Sequence, residues 1–269
     1  MRPIPTAVPG TLLLAGACAW LPATAGPDQS SVWIEASRKP GVVFNGHRLP
    51  RESEGMGVVT GPEREIATAA HVVWRAESIT ITDLDGEAAR ARIVCIDAAA
   101  DIALLRAERP SEHFASIRAR PAVTGELVSV VERPQQQGEA PNVASGAIGA
   151  TRWTVNGMPV PLIFSGIKGE KGMSGGGLFD AEGALLGIVV RIDGSLGYLS
   201  ALPVTELCKR FARCAGGEPA AALPTPACAP PPSAPSQPTL PAVARAPADR
   251  PAAPASRCRA SAPAGRGCG

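Results

Sequence analysis

The chain predicts an all-β domain, either a sandwich or a pair of barrels. Three observations carry that reading. About eleven short apolar or alternating runs fall within residues 26–215, a spacing typical of closed or stacked antiparallel sheets. Turn dipeptides separate several of them: Asp85-Gly86, Glu182-Gly183 and Asp193-Gly194 stand where hairpins need residues that tolerate positive φ. Only the last stretch of this zone has helical spacing, with Thr205 as its cap and Leu207 and Phe211 on its apolar face.

The expected strands are 32–35, 56–60, 66–70, 78–82, 91–95, 102–107, 127–132, 143–150, 162–165, 184–192 and 198–202. No internal repeat of fixed period is present. The chain divides into three zones: 1–25, 26–215 and 216–269. The first reads as an export signal, with Arg2 ahead of the apolar run Thr11 to Leu21 and the small-x-small site Ala23-Thr24-Ala25. The run falls well short of the roughly 20 apolar residues that span a bilayer as a helix, so no transmembrane segment is expected once the signal is removed. The predicted location is therefore the periplasm or the medium. A variant is lipoprotein cleavage before Cys18, since Ala15-Gly16-Ala17-Cys18 resembles a lipobox with Ala15 where Leu is usual.

The third zone holds 13 Pro in 54 positions. That density opposes helix and central strand, and the large apolar side chains are too few to offset ordering entropy. A disordered, locally polyproline tail is expected. Its five arginines (245, 250, 257, 259, 266) face only Glu218 and Asp249, so it carries +3 of the chain's net +2 and the rest sums to −1. Such a tail is a candidate contact with an anionic envelope surface. The overall charge is too small to indicate a nucleic-acid partner. Seven cysteines lie at 18, 95, 208, 214, 228, 258 and 268. None forms a Cys-x-x-Cys pair, so a zinc site is not expected. Cys95 reads as a buried thiol in an apolar strand, while Cys208 and Cys214 are open to pairing with each other or with the tail.

The chemistry resides in three fragments: Ala69-Ala70-His71, Asp101-Ile102-Ala103-Leu104-Leu105, and Gly172-Met173-Ser174-Gly175-Gly176-Gly177. A serine hydroxyl is a poor nucleophile near neutral pH; it needs a base within hydrogen-bond reach, and the base needs an orienting partner. The chain has three histidines. His47 and His113 sit in turn-like, surface-prone stretches, whereas His71 follows a strand of small residues that would leave room for a cleft. Asp101 precedes an apolar run, where a carboxylate is either an exposed strand start or a buried acceptor for His71 Nδ1. Asp97 competes for that role.

The words Thr68-Ala69-Ala70-His71-Val72 and Asp101-Ile102-Ala103-Leu104-Leu105, followed by the glycine-set Ser174, closely resemble trypsin-like serine proteases in content and order. The bacterial HtrA/Deg type is nearest, and separations of 30 and 73 residues suit its compact form. The segments 143–148 and 197–203 are similar to that type's Val-Thr-Ser-Gly-Ile-Val strand and Gly-Phe-Ala-Ile-Pro ending. The resemblance spans residues of roughly 30 to 215. It implies two six-stranded antiparallel β-barrels closed by a C-terminal helix. It also implies a triad of His71, Asp101 and Ser174, with an oxyanion hole formed by the amides of Gly172 and Ser174. The implied activity is exported serine endopeptidase acting on proteins or peptides, with no metal or organic cofactor. By the same resemblance, Val190, Arg191 and Ile192 would pair edge-on with an extended substrate. Lys168 lies near the position that often sets P1 preference, and solvent is the expected alternative for it.

Three departures qualify the resemblance. Met173 replaces the Asp or Asn usual before the nucleophile, which removes a salt bridge to a freshly cut N-terminus. Gly177 replaces the usual Pro and is expected to loosen the loop. No PDZ domain is expected after residue 215, which sets aside a caged assembly. The competing function is a weakly active or inactive binding module of the cell envelope on the same fold.

Overall fold

The structure is a computed structural model. It describes residues 26–62, 65–109, 111, 113–133, 140–193 and 195–215, of which the side chains of 213–215 are excepted. The expected signal, Cys18, the tail and the Cys214 side chain lie outside the described residues. All described residues fall in the first of two units of the chain, Met1–Pro231.

The first barrel uses β1 (Ser31–Arg38), β4 (Glu52–Val59), β5 (Glu65–Ala69), β6 (Ala76–Thr82), β7 (Ala88–Asp97) and β8 (Ile102–Ala107). They close in the order β1-β4-β5-β8-β7-β6, all neighbours antiparallel. Alternation is clearest on β7, where Ala89 and Ala91 turn inward and Arg90 and Arg92 face out. Between β1 and β4 lies a small hairpin of β2 (Val43–Phe44) and β3 (His47–Arg48). A one-turn helix, α1 (Ala70–Val73), follows β5.

Residues 108–126 then carry the chain across to the second barrel; Ala115 bonds to Val59 of the first, and Arg118 to Leu185 of the second. That barrel uses β9 (Leu127–Val131), β10 (Val143–Trp153), β11 (Leu162–Lys168), β12 (Gly177–Asp180), β13 (Leu185–Ile192) and β14 (Tyr198–Pro203), closed in the order β10-β11-β14-β13-β12-β9. The helix α2 (Val204–Ala215) ends the described chain. Two six-stranded antiparallel barrels and a terminal helix are the architecture that the resemblance implied.

One apolar cluster fills each barrel, around Ile34 and Leu105 in the first and Val130 and Val189 in the second. A third joins them, running from Met56 and Val58 to Leu185, Ile188 and Phe211. Arg118 is buried at the foot of the second barrel and pairs with Glu126 at 2.5 Å and Asp180 at 3.4 Å. Burial without these partners would cost several kcal/mol per charge, so the pairing is obligatory.

Three sequence expectations need correction. Cys95 is not a free thiol: it is disulfide-bonded, as is Cys208 on α2. The helix begins at Val204, so Thr205 falls inside its first turn rather than at its cap. Gly177 is not in a loosened loop. It opens β12, pairs with Ile188, and has the Phe179 ring where a side chain would stand. That strand, and the two of the small hairpin, were not foreseen because two to four residues show no periodicity.

Candidate active site

The site lies where the two barrels meet. From the first barrel, β5 runs through buried Thr68 and Ala69 into α1, which presents His71 with its side chain 29% exposed. Asp101 ends the turn before β8 and is buried. It holds the histidine at two points: Oδ2 lies 2.7 Å from His71 Nδ1, and Oδ1 accepts the His71 amide at 2.9 Å. Its carbonyl accepts the Ala70 amide at 3.0 Å, so one residue pins three groups of the His71 turn. The φ of Asp101 is +55°, a left-handed conformation that Asp tolerates better than most residues. Asp97, the competing acid, is committed elsewhere, to Arg210 of α2 and the Ala100 amide. Burial opposes its charge, but these partners prevail and hold its carboxyl below the ordinary range.

Arg38, almost fully buried, donates to the Val72 carbonyl at the end of α1. Among the described residues no acid pairs with it, and burial lowers its pKa. The cation complements the carbonyl end of the turn.

From the second barrel, residues 169–176 form the turn that carries Ser174. The Ser174 carbonyl accepts the Met56 amide at 2.8 Å, tying the turn to β4 of the first barrel. Gly55 has Val72 on one side and the Ser174 carbonyl on the other; one glycine thus separates Ser174 from the His71 turn. Gly175 has φ +87° and lies against Met56 O, Thr68 Oγ1 and the Ala69 amide, where a Cβ would come within 2.2, 2.3 and 2.9 Å of them. Only glycine fits both that conformation and that space.

Amide directions in the turn are selective. Met173 N donates to Glu170 O, Gly175 N to Val189 O, and Gly176 N to Met173 O. Among the described residues, the amides of Gly172 and Ser174 have no protein acceptor. Gly172 has φ +96° and rests on the Trp33 ring. Met173 is buried in the second barrel, and its sulfur accepts the Glu170 amide at 3.2 Å. Nearby Glu132 has its carboxyl pushed up by burial and by the charge of Glu170.

The sequence-predicted residues are thus gathered unequally. His71 and Asp101 are hydrogen-bonded directly. Ser174 is brought against the same strand ends through its backbone, and among the described residues no hydrogen bond joins its hydroxyl to His71. Val190 is buried and Arg191 exposed; both line a cleft of ≈ 620 Å³ that also includes His71 and Asp101. Ile192 is partly buried and packs on the second-barrel core. Lys168 stands apart from this cleft, its ammonium 4.0 Å from the Tyr198 ring and donating to the Leu196 carbonyl. Missed in the sequence were Phe44, His47 and Leu49, which bring the small hairpin to the cleft wall. The paired turn residues Asn45 and Gly46, with φ +46° and +82°, are the signal that marks this hairpin.

Two closed barrels, an imidazole–carboxylate pair from one and a glycine-set serine from the other define the chymotrypsin-like class of folds. Residues 55–188 match the trypsin-like peptidase domain family, and the chain carries a domain of that family. Among curated proteins it is 30% identical over 165 residues to a probable periplasmic serine endoprotease, DegP-like, of Halomonas elongata, covering 59% of this chain and 34% of that protein. A protein of the same description from Pseudomonas savastanoi pv. phaseolicola is 28% identical over 174 residues, with coverages of 62% and 36%. The chain therefore spans about a third of the length of these relatives. Among solved structures, the HtrA-type protease AlgW with tripeptide superposes with a TM-score of 0.59 at 24% identity, covering 70% of this chain and 60% of that one. The serine endoprotease from Yersinia pestis gives 0.56 at 22%, with coverages of 71% and 64%. These last two establish the fold.

Proposed function

We propose that this protein is an exported serine endopeptidase. The observation that carries the reading is the junction itself: a buried aspartate bonded to His71 Nδ1 at 2.7 Å, with the Ser174 turn held against the same strand ends. In this reading Ser174 Oγ attacks the scissile carbonyl carbon and His71 Nε2 takes the hydroxyl proton. Asp101 fixes the Nδ1–H tautomer and stabilises the imidazolium. The carbonyl oxygen becomes anionic where the two amides without acceptors, Gly172 and Ser174, are available to receive it; one such donor contributes about 2.7–4 kcal/mol. His71 returns the proton to the departing amine. Water, deprotonated by His71, then releases the acyl group and regenerates the serine. Export rests on the signal-like residues 1–25 and on the similarity to probable periplasmic endoproteases.

A second reading, a binding module without turnover, is favoured by one observation: the Ser174 hydroxyl is not hydrogen-bonded to His71. Resting active sites often tighten this contact only when substrate is bound. Labelling with a fluorophosphonate separates the readings. The peptidase reading expects stoichiometric labelling that Ser174→Ala abolishes and His71→Ala severely slows. Folded protein that stays unlabelled makes the binding module correct.

A further inference from the structure

The cleft beside His71 carries an exposed cation and no carboxylate other than that of Asp101 among the described residues. Phe44, Leu49, Met158 and Val190 give it apolar wall, Asn45, His47 and Asn156 give it neutral polar groups, and Arg191 is its one permanent cation among the described residues. Asp101 is the one carboxylate along the ≈ 620 Å³ cleft among the described residues, and both its oxygens are taken by His71. Arg191 makes no ion pair or hydrogen-bonded side-chain contact among the described residues. The acid that feels its charge is Asp193, which forms no ion pair with it and whose Oδ1 accepts the Ser195 hydroxyl and the amides of 195 and 196. An exposed guanidinium on this cleft, without an ion-pair partner among the described residues, is complementary to a carboxylate brought by a ligand.

The strand that carries Arg191 also dictates how a peptide would lie. The amide and carbonyl of Val189 are bonded to Gly176 and Gly175, and β12 pairing ends at Ile188. Beyond that point β14 covers one edge of β13, and among the described residues no strand covers the other. An extended peptide added to this edge, with its scissile carbonyl at Ser174, projects alternate side chains to opposite faces. The second and fourth residues before the cleaved bond, P2 and P4, share one face, and P3 points the other way. The cleft has room for both side chains on that face.

We propose that this cleft selects substrates by charge: peptides with glutamate or aspartate at P2 or P4 are preferred, and Arg191 is the residue that sets the preference. The inference rests on the peptidase reading above and names the substrate class for the same site.

The test uses the protein without residues 1–25 and fluorogenic peptides that differ only by Glu against Gln at P2, P3 or P4. The expected Glu/Gln ratio in kcat/KM is about two- to fivefold at P2 or P4 in low salt, the scale of a solvent-exposed charge pair, and about one at P3. It shrinks as salt is added. Arg191→Lys keeps the preference, Arg191→Gln brings the ratio close to one, and Arg191→Glu inverts it. The ratio, not the absolute rate, is the readout, since Arg191 borders the substrate. Equal cleavage of Glu and Gln peptides at both positions, a preference seen only at P3, or one that survives Arg191→Gln overturns the inference while leaving the peptidase reading intact. Absence of cleavage for every peptide, together with absence of fluorophosphonate labelling, overturns both.

Discussion

The two barrels hold their shares of the site by different means. The first positions His71 with side chains. Asp101 grips it at two points, and Arg38 steadies the far end of the same turn. The second positions Ser174 with backbone. Its turn is fixed by amide–carbonyl bonds from residues 173, 175 and 176, and by a glycine pressed onto the neighbouring barrel. Side-chain control suits a group that must change protonation and be oriented by charge. Backbone control suits a turn whose own amides must point outward, because a side chain there would compete for the same space. The difference implies different failures. Damage to the first barrel's contacts should abolish chemistry while sparing the fold, and damage to the second barrel's turn should strike the fold first.

The largest expected effect is on the side-chain half. Asp101→Asn keeps a residue that tolerates φ +55° and keeps an acceptor for the His71 amide, so the melting temperature should hardly move. It removes the charge and misorients the imidazole tautomer; a fall in kcat of about 10⁴ is expected. A variant that loses activity only together with its cooperative melt would make Asp101 a structural residue and dissolve the contrast between the barrels.

Gly175→Ala tests the backbone half. The new methyl would lie 2.2 Å from Met56 O and 2.9 Å from the Ala69 amide, and neither atom is able to yield cheaply. Overpacking and left-handed strain together should cost about 3 kcal/mol or more. Thermal or urea unfolding would measure it. A change below about 1 kcal/mol would show that the turn re-forms without its glycine.

The same contrast explains what was legible in the sequence. The first barrel's site residues stand inside short words, Thr68 to Val72 and Asp101 to Leu105, because neighbouring small and apolar residues must pack for the side chains to meet. Those words located both members of the hydrogen-bonded pair and rejected Asp97. Eleven of the fourteen strands among the described residues were read from period and turn residues. The remainder failed for physical reasons. The strands β2, β3 and β12 are two to four residues long and have no period to detect. His47 therefore read as surface although it borders the cleft, for its position depends on how a small hairpin folds over the barrel mouth. Cys95 read as a lone thiol because pairing depends on distance in space, which its apolar neighbours do not encode.

A smaller effect is expected where α2 crosses from the second barrel back to the first. Arg210 binds Asp97, whose side chain is 25% exposed against 10% for Arg210. Asp97→Asn leaves that largely buried cation short of its counter-charge and should cost about 1–2 kcal/mol near neutral pH. The sign follows from the lowered carboxyl pKa. The stabilisation is present above the ordinary carboxylate range, about 4, and is lost as pH falls through the lower folded-state value. Melting curves of the two proteins should therefore converge in acid. Curves that stay parallel down to the acid transition would assign the loss to packing and not to the ion pair.

The smallest effect asks whether side-chain electrostatics reach the backbone-held turn at all. Glu132, just after β9, has its carboxyl pushed up by burial and then by the charge of Glu170 in the turn ahead of Ser174. Its contribution to stability has the opposite sign to that of Asp97. It is fully present below the unfolded-state carboxylate range and is lost as pH rises through the higher folded-state value, after which two like charges face each other. Glu132→Gln removes the repulsion and should stabilise the protein by about 0.3–0.5 kcal/mol at neutral pH. The gain should fade as pH falls toward about 4, because wild-type Glu132 is then neutral too. Paired melts at the two pH values measure it. A gain that persists or grows in acid would show that the amide packs better than the acid, and would leave the turn governed by backbone alone.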